Sequence, residues 1–283
     1  MAKPKLMLAK KVSLDELQSW TTEKWKRHVI EPKIDGDRYC REPNGRWVSR
    51  GGKEFYNVDE IKRAIDKVRC INEFLIDGEL TAKDWSQTQS IVRSFRKKPI
   101  GKVRYIIFDA VPDDQPELRQ QFRYELVRRI VEEANSPLVE YILPYHVTSF
   151  IEFKNVLTEC VANGCDGVMI KQGEGPYETK RSKYWLKLKP YHEMDCKVVA
   201  VKQGKGKYSQ TLGSIGVVIP LGRGQWSDRI TYVSGMDDEW RNKFWKMRKA
   251  LIGKIVEVRY REKTKVNRLK EPRLVKPKFE MEN

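Results

Sequence analysis

Hydrophobic and polar positions alternate over short runs in the first 190 residues, and this pattern predicts strands separated by short helices. Asn44-Gly45 is the strongest short-range hairpin signal, so we expect the flanking runs 37–42 and 46–50 to pair as antiparallel strands. The β-branched run from His28 to Ile30 is typical of a buried strand. Further strands are predicted at 74–76, 103–111, 167–171 and 184–189.

Capping residues followed three positions later by Glu predict where helices begin. Such pairs are Ser13 with Glu16, Asn57 with Glu60, and Ser149 with Glu152. They predict helices that extend to about residue 25, to residue 68 and to residues 163–164. A longer amphipathic stretch, 117–134, places Phe122, Leu126 and Ile130 on one stripe. Short helices mixed with mainly antiparallel strands indicate an α+β fold.

The pattern changes after Pro190, where short strands predominate. Strands are predicted at 196–202, 214–220, 229–234 and 254–261, with one helix at 237–248. A few short strands with a single helix favour a small β-barrel, and an OB-fold is the best candidate. We therefore expect two domains, 1–190 and 191–283.

The charge of the chain is strongly positive and unevenly distributed. Lys and Arg number 56 against 39 Asp and Glu, a net charge of +17. Residues 191–283 hold 21 basic and 11 acidic residues, a net of +10 in 93 residues. This excess predicts a polyanionic partner, and nucleic acid is favoured over a membrane surface because no long amphipathic or apolar helix accompanies it.

Cysteine and histidine usage argues against disulfides and against a metal centre built on these residues. The five cysteines include no C-x-x-C pair, and the three histidines are widely separated. No window approaches 18 apolar residues, and the N-terminus lacks the apolar segment of a secretory signal. We therefore expect a cytoplasmic protein with buried free thiols and no membrane association.

The chemistry of the chain is concentrated around Lys33, in the sequence Glu31-Pro-Lys-Ile-Asp-Gly-Asp-Arg38. Lys33 follows the predicted strand, and Asp35-Gly36 supplies a tight turn. A second cation, Arg38, comes five residues later. A neighbouring positive charge and a dry site both favour the neutral amine, so Lys33 is predicted to be a covalent nucleophile.

Four further segments follow in order, and each ends a predicted strand with an acid or a lysine: 77–79 (DGE), 105–109 (YIIFD), 166–171 (DGVMIK) and 185–190 (WLKLKP). Together with the Lys33 segment, the set resembles motifs I, III, IIIa, IV and V of the covalent nucleotidyltransferases. It is most similar to the ATP-dependent DNA ligases, whose fold is an ATP-grasp-like nucleotidyltransferase (adenylation) domain followed by an OB-fold. Segments 5–9 (KLMLA), 49–55 (SRGGKEF) and 212–215 (LGSI) also resemble small ligases.

The resemblance implies that Lys33 takes AMP from ATP as a phosphoramide. It implies that Glu31 accepts a hydrogen bond from the adenine amino group, and that Phe108 stacks on adenine, although a core phenylalanine is an equal alternative on sequence alone. Lys187 and Lys189 alternate with leucines, so both amines face one side of a strand, towards the triphosphate. The full set of implied ATP-binding residues is Glu31, Lys33, Ile34, Arg38, Glu79, Phe108, Lys171, Lys187 and Lys189.

The resemblance also assigns metal and DNA ligands. Glu79 and Asp166 are the implied carboxylates for Mg²⁺, with Mn²⁺ as an alternative, because such hard ions prefer oxygen ligands. Arg50 resembles the arginine that senses the 5′-phosphate of a nick, and Lys53 follows it in the same segment. A short basic loop, 203–211, adds Lys205 and Lys207 beside Lys202 as further DNA-binding residues.

The chain departs from the ligase pattern in three places. Asp166 stands where motif IV usually begins with Glu, so its carboxylate is one methylene shorter. The final Arg-x-Asp-Lys motif appears only as 278–281 (KFEM), without the last lysine. The loop 203–211 is too short for the long hairpin insertion that clamps DNA in the family.

The predicted function is a monomeric ATP-dependent DNA ligase that seals nicks in duplex DNA. Two relatives in the superfamily are alternatives, an RNA ligase and an mRNA-capping guanylyltransferase. A third alternative from another class is a non-catalytic OB-fold protein that binds nucleic acid. Formation of a lysine–nucleotide adduct separates the enzymes from the binding protein.

Overall fold

The structure is a computed structural model that describes residues 3–96, 103–264 and 266–280. The chain divides into two compact units, Met1–Lys189 (unit 1) and Pro190–Asn283 (unit 2). No helix in the described part of the chain combines the length and the apolar character that crossing a bilayer would require.

Unit 1 is a mixture of strands and short helices. Its described strands are β1 (Leu8–Lys11), β2 (His28–Pro32), β3 (Asp37–Arg41), β4 (Trp47–Ser49), β5 (Phe74–Thr81), β6 (Arg104–Pro112), β7 (Val139–Tyr141), β8 (Val168–Gln172) and β9 (Arg181–Leu188). Its described helices are α1 (Leu14–Gln18), α2 (Thr22–Lys26), α3 (Asp59–Asp66), α4 (Trp85–Val92), α5 (Gln120–Ala134) and α6 (Phe150–Ala162), with a 3₁₀ turn at Ile71–Glu73.

Two sheets organise unit 1, one in the order β4-β3-β5-β6-β7 and one in the order β1-β9-β8-β2. Pairing is antiparallel except between β6 and β7 and between β1 and β9. The predicted hairpin is confirmed, because β3 pairs with β4 across the turn at Gly45. Helices α3 and α5 cover the first sheet around a core that contains Ile65, Ile107 and Val127, which are almost fully buried.

The predicted helix from Ser13 to residue 25 is two helices. Ser13 caps α1 as expected, but α1 ends at Gln18. Thr21 then caps α2 by accepting a hydrogen bond from the backbone N–H of Lys24. The break lets the rings of Trp20 and Trp25 pack 4.9 Å apart, so tertiary packing overrides the continuous helical pattern.

The prediction that Asn57 caps α3 is wrong. Asn57 has a positive φ of 58°, and the N-cap position belongs to Val58, which makes no side-chain cap. The Asn57 amide instead donates to the carbonyl oxygens of Ile91 and Ser94, each at 3.0 Å. A capping residue that is used by a tertiary contact cannot be recognised from local sequence.

The stripe predicted on α5 is also partly wrong, because Phe122 is 51% exposed. The buried face includes Arg123 and Gln120, which the hydrophobic pattern assigns to solvent. Arg123 Nε lies 2.8 Å from Asp109 Oδ1 on β6, and both side chains are fully buried. Because of this ion pair, the buried face of α5 is the one that contains Arg123, Val127, Ile130 and Ala134. Helix α6, by contrast, begins after Ser149 and ends before Asn163-Gly164, as predicted.

Unit 2 contains mainly antiparallel strands. Its described elements are β10 (His192–Gln203), a 3₁₀ turn at Gly206–Tyr208, β11 (Leu212–Val218), β12 (Pro220–Gly222), β13 (Gln225–Trp226), β14 (Thr231–Val233), α7 (Asp238–Lys246), β15 (Ile255–Tyr260), β16 (Glu262–Lys263), β17 (Leu269–Lys270) and β18 (Arg273–Pro277). The strands predicted from 196 to 261 fall on β10, β11, β14 and β15, and the predicted helix falls on α7. The short, charged strand β18 was not predicted.

The main sheet of unit 2 has the order β14-β11-β10-β15-β18. It does not close as a continuous ladder, but the backbone N–H of Leu274 donates to the carbonyl of Ser234 at 3.0 Å. That bond links the β18 edge to the end of β14. The core beneath the sheet includes Val198, Ile215 and Phe244, all fully buried.

The buried Asp109–Arg123 pair gives a test of this packing. Asp109→Ala leaves the Arg123 guanidinium buried without its carboxylate, so we expect the free energy of unfolding to fall by about 3–5 kcal/mol. Urea denaturation followed by circular dichroism measures it. Arg128 on the same helix pairs with exposed Glu125 and Glu132, so Arg128→Ala should change stability far less than Asp109→Ala does. Equal losses in the two variants would contradict this account.

Candidate active site

A cleft of about 900 Å³ in unit 1 collects most of the side chains that the sequence singled out. The strands β1, β2, β3, β5, β6, β8 and β9 and the segments that follow β2 and β4 contribute to its walls. Among the described residues that line it, basic side chains outnumber acidic ones. The basic ones are Lys33, Arg38, Arg50, Lys53, Arg93, Lys171, Arg181, Lys187 and Lys189.

Backbone hydrogen bonds fix the position of Lys33. Its N–H donates to the carbonyl of Gly167 at 2.9 Å, and the N–H of Asp166 donates to the carbonyl of Lys33 at 2.7 Å. These bonds continue the pairing of β2 with β8 by one more step. Gly167 has a φ of 114°, and a Cβ there would lie 2.2 Å from the carbonyl oxygen of Leu188, so glycine is required.

The turn after Lys33 is equally constrained. A Cβ on Gly36 would lie only 2.1 Å from the carbonyl oxygen of Leu80, so the turn can pass close to β5 only with glycine at this position. Sequence reasoning recognised Asp35-Gly36 as a turn. The close approach to β5 is a second reason for the glycine and depends on the tertiary structure.

The charge next to Lys33 differs from the prediction. Its Nζ lies 2.8 Å from Oδ2 of the buried Asp166, and the same oxygen is 2.9 Å from Nζ of Lys189. The expected cation, Arg38, is directed elsewhere and binds Asp77 through Nε at 2.8 Å and through Nη2. The Lys33 side chain is therefore held by a carboxylate, and the cation that shares this carboxylate oxygen is Lys189, while Arg38 binds Asp77.

Arg38 lines the cleft, but its guanidinium group is hydrogen-bonded mainly to other residues of the fold. Besides the Asp77 contact, its Nη1 donates to the carbonyl of Met7 at 2.9 Å, and its guanidinium lies 5.5 Å from the Phe108 ring centroid. Asp77 also accepts a hydrogen bond from the hydroxyl of Tyr177 at 2.8 Å. The network connects the segment before β1, strands β3 and β5, and the segment before β9.

Glu31 and Lys171 form a fully buried pair on the floor of the cleft. Lys171 Nζ lies 2.9 Å from Glu31 Oε1 and donates to the carbonyl of Phe108 at 2.8 Å. The hydroxyl of Tyr124 also donates to Glu31 Oε1. Burial raises the pKa of Glu31, and Lys171 and Tyr124 oppose that rise. Lys171 therefore positions Glu31. The spacing of these two residues along the chain does not indicate that they pair.

Phe108 lies at the boundary between the core and the cleft. Its ring is half-buried, makes an edge contact with Trp185 at 6.0 Å, and also lines the cleft. Trp185 begins the segment 185–190, but the sequence pattern predicts no function for its side chain. It lies 4.5 Å from Lys171 Nζ and donates a hydrogen bond to buried Gln120. The two rings form an apolar wall beside the buried Glu31–Lys171 pair.

Glu79 stands on β5 at the side of the cleft. Burial raises its pKa to about 8, while the positive charges of Lys33 and Arg38 work against the increase. The described residues contain no cluster of three His, Cys, Asp or Glu side chains that could hold a metal ion by itself. Glu79 and Asp166 do supply hard oxygen donors, and Mg²⁺ is commonly bound by one or two carboxylates with substrate phosphates and water. The residues present therefore fit that ion.

Lys187 and Lys189 both line the cleft, as their alternation with buried Leu188 predicted. Burial lowers the pKa of Lys187, and the charges of Arg181, Lys33, Lys189 and Arg50 add to the effect. These cations are therefore near enough to repel one another. Such a concentration of positive charge is typical of a site that binds an anion. Sequence reasoning missed Arg181 because the strand was predicted to begin at 184. Extending the same alternation backwards along β9 would have found it.

The remaining predicted residues lie at the rim or in unit 2. Ile34 lines the cleft, and Arg50 and Lys53 are exposed cleft residues just after β4. Lys202, Lys205 and Lys207 belong to unit 2, where all three are exposed. At the C-terminus, Lys278 is occupied by ion pairs with Glu257 and Asp195, and Met281 lies outside the described residues.

Comparison with known proteins gives a consistent result. A family model described as ATP dependent DNA ligase domain matches residues 6–189. A DNA ligase of Haemophilus influenzae is 28% identical over 191 residues, covering 66% of this chain and 67% of that protein. A DNA ligase of Methanothrix thermoacetophila is 31% identical over 252 residues, covering 80% of this chain and 44% of that protein. The chain thus spans about half the length of this archaeal relative and of a viral DNA ligase, from African swine fever virus.

Solved structures agree. The structure named Pmar-Lig_Pre has a TM-score of 0.80 at 26% identity, with 96% of this chain and 67% of that chain covered. A Lig E DNA ligase has a TM-score of 0.78 at 21% identity, with 96% of this chain and 98% of that chain covered. The second likeness concerns the fold alone.

The raised pKa of Glu79 can be measured directly. Carbon-detected NMR of the side-chain carboxyl should show one Glu resonance that titrates near pH 8 and disappears in Glu79→Gln. Removing the nearby positive charge in Lys33→Ala should raise that midpoint further. Because the folded-state pKa lies above the usual 4.5, the stability that Glu79 contributes is complete below about pH 4.5 and is lost as the pH rises through about 8. A midpoint near 4.5 would contradict the assignment.

Proposed function

The chain belongs to the ATP-dependent DNA ligase family, and from this premise we propose that it seals nicks in duplex DNA by way of a lysyl-AMP and a 5′-adenylylated DNA. The observation that carries the proposal is the placement of Lys33 in a cleft that also contains cations on β9 and in the segment after β4. That arrangement suits a nucleophile that must meet a polyphosphate. A single chain supplies every residue assigned below, so we propose that a monomer acts.

In the first step the Lys33 amine attacks the α-phosphorus of ATP. The N–P bond forms as the bond to pyrophosphate breaks, and the amine loses its proton. Asp166 holds Nζ by the 2.8 Å contact, and this contact limits the positions that the amine can adopt. Lys187 and Lys189 neutralise phosphate charge, and pyrophosphate leaves with its electrons.

The nucleoside would be recognised by the buried floor of the cleft. Glu31, held by Lys171 and Tyr124, accepts from the adenine amino group, and Phe108 offers its exposed ring face. Ile34 adds apolar contact, and Glu79 would contact the ribose. Arg38 acts mainly by holding Phe108 and β5 in place through Asp77.

Asp166 and Glu79 would hold Mg²⁺, and the same oxygen donors accept Mn²⁺. When bound, the ion neutralises charge on the phosphates. The ionised form of Glu79 is needed for this role, and its raised pKa makes that form scarcer at neutral pH.

The second and third steps use DNA. A 5′-phosphate oxygen attacks the phosphorus of lysyl-AMP, which breaks the N–P bond and frees Lys33. The 3′-hydroxyl then attacks the 5′-phosphate, the new phosphodiester forms, and AMP leaves. Arg50 and Lys53 at the exposed rim are the residues that we assign to the 5′-phosphate.

We assign the adenylation domain to residues 1–190 and an OB-fold to residues 191–283. Two observations support the OB-fold: the five-stranded antiparallel sheet with one helix, and the bond between Leu274 and Ser234 that joins its two edge strands. Lys202, Lys205 and Lys207 would then contact the phosphates of the nicked duplex.

Lys33→Ala should abolish covalent labelling by radiolabelled ATP with Mg²⁺, because the side chain itself forms the bond. The wild-type adduct should be labile to acid and stable to alkali, as a phosphoramide is. Unchanged circular dichroism would show that the variant is folded. Undiminished labelling of the variant would refute the assignment, and preferential sealing of RNA ends or labelling by GTP would favour the alternative activities.

Arg50→Ala should separate the steps. Labelling of Lys33 by ATP should persist, whereas transfer of AMP to a nicked duplex should fall at least about tenfold, since a charge-assisted phosphate contact contributes about 1.5–3 kcal/mol. Arg46→Ala is the matched control, because Arg46 lies on the same hairpin, pairs with Glu42 and does not line the cleft. An equal loss in both steps would mean that Arg50 serves ATP.

A further inference from the structure

The outward face of the unit 2 sheet has an unusual composition. Small residues, Ala200 on β10 and Gly216 and Ser214 on β11, occupy its centre, while the valines and isoleucine between them point into the core. Glycine inside a strand weakens the strand and often marks a place where another group approaches closely. Here the groups closest to a Cβ at this position are Ala200, Ile230 and Tyr232 of β14, and Tyr232 pairs with Gly216.

The ring of Tyr232 lies across Gly216. A Cβ at Gly216 would come within 3.2 Å of the Tyr232 ring and within 2.8 Å of Ala200 Cβ. Lys202, two residues beyond Ala200, places its Nζ 3.7 Å from the ring centroid. Tyr232 is 42% exposed, so this pair stands on a solvent-facing surface.

Similar pairs lie on either side of it. Lys197, at the other end of the same strand face, has its Nζ 5.1 Å from the Trp226 ring centroid. Beyond the end of β10, Lys207 lies 4.6 Å from the ring centroid of Tyr208, whose other close cation is Arg241 at 4.3 Å. Arg241 is fixed by hydrogen bonds to the carbonyls of Leu212 and Gly213. Cation–aromatic pairs therefore follow one strand and the loop after it.

We propose that these rings are positioning residues that hold Lys197, Lys202 and Lys207 in place to contact successive backbone phosphates of a DNA strand. An ammonium group over the ring at 3.7 Å occupies the face on which a base would stack, so base stacking on Tyr232 is disfavoured and phosphate contact is favoured. A free lysine loses much side-chain entropy when it binds, and a lysine already held by a ring loses less.

The charge of unit 2 supports a polyanion as the partner, since residues 191–283 carry a net charge of +10 from 21 basic and 11 acidic residues. The inference rests on the proposed function for the identity of that polyanion, which is nicked duplex DNA. It adds Tyr232, Trp226, Tyr208 and Lys197 to the residues proposed to hold DNA. It also extends the proposed DNA-binding surface from the loop 203–211 to the outward face of the sheet.

A binding experiment without ATP or metal tests the proposal, because it does not depend on Lys33 chemistry. Fluorescence anisotropy with a labelled nicked duplex, over a series of salt concentrations, gives both affinity and the slope of log affinity against log salt. Lys202→Ala should make that slope shallower by about 0.9, the value for one phosphate contact. Lys154→Ala is the matched control, because Lys154 is an exposed lysine over the Phe150 ring in unit 1, and it should change neither quantity.

The role of the Tyr232 ring is tested by substituting Tyr232 alone and together with Lys202. Tyr232→Leu should weaken binding about two- to fivefold, the range for an exposed cation–aromatic contact, whereas Tyr232→Phe keeps the ring and should bind normally. In a Lys202→Ala background, Tyr232→Leu should have no further effect. Thermal unfolding of each variant checks that it is folded.

The proposal is overturned if Lys202→Ala leaves the salt slope unchanged, if Tyr232→Phe binds as weakly as Tyr232→Leu, or if the effect of Tyr232→Leu persists without Lys202. These results decide the inference whether or not Lys33 becomes labelled by ATP. The failure of the inference is thus distinguishable from the failure of the proposed function.

Discussion

The two backbone hydrogen bonds that join Lys33 to residues 166 and 167 are the constraint on which the cleft depends. They extend the β2–β8 pairing past the end of the strands, so that the Lys33 and Asp166 side chains leave the backbone at the same place. The Nζ–carboxylate contact at 2.8 Å follows from this register. Any substitution that adds a Cβ at Gly167 would displace Leu188 and, with it, the lysines of β9.

Buried charges in and near the cleft form ion pairs. Among the described residues, Glu31 pairs with Lys171 and Asp109 with Arg123, all fully buried, while Arg38 reaches the buried Asp77 from a partly buried position. Isolated charges of this kind would be strongly destabilising, and paired ones contribute little net stability. Their value here is in orientation: Lys171 directs Glu31, and Arg38 connects Asp77 to the ring of Phe108.

The sequence predicted which segments line the cleft, but it did not predict which side chains pair with one another inside the fold. The strands, the Lys33 segment and the alternation at Lys187 and Lys189 were predicted because each depends on local periodicity or turn chemistry. The helix cap at Asn57 and the α5 stripe were wrong because a tertiary hydrogen bond and a buried ion pair override local pattern. The contact of Arg38 with Asp77 was not predicted, because the two residues are 39 positions apart. The pairing of charges across a fold cannot be read from spacing along the chain.

In the proposed function, the way the chain holds DNA depends on the length of the loop between β10 and β11. Because only Gly204–Thr211 form that connection, we propose that the loop does not encircle a duplex and that short-range contacts to phosphates hold the DNA. Each such contact is weak and costs the entropy of ordering a long side chain. A rigid sheet with lysines already held over aromatic rings lowers that cost at every contact. Glycine in the middle of β11 is consistent with this arrangement, because a Cβ at Gly216 would crowd Ala200, Ile230 and the Tyr232 ring.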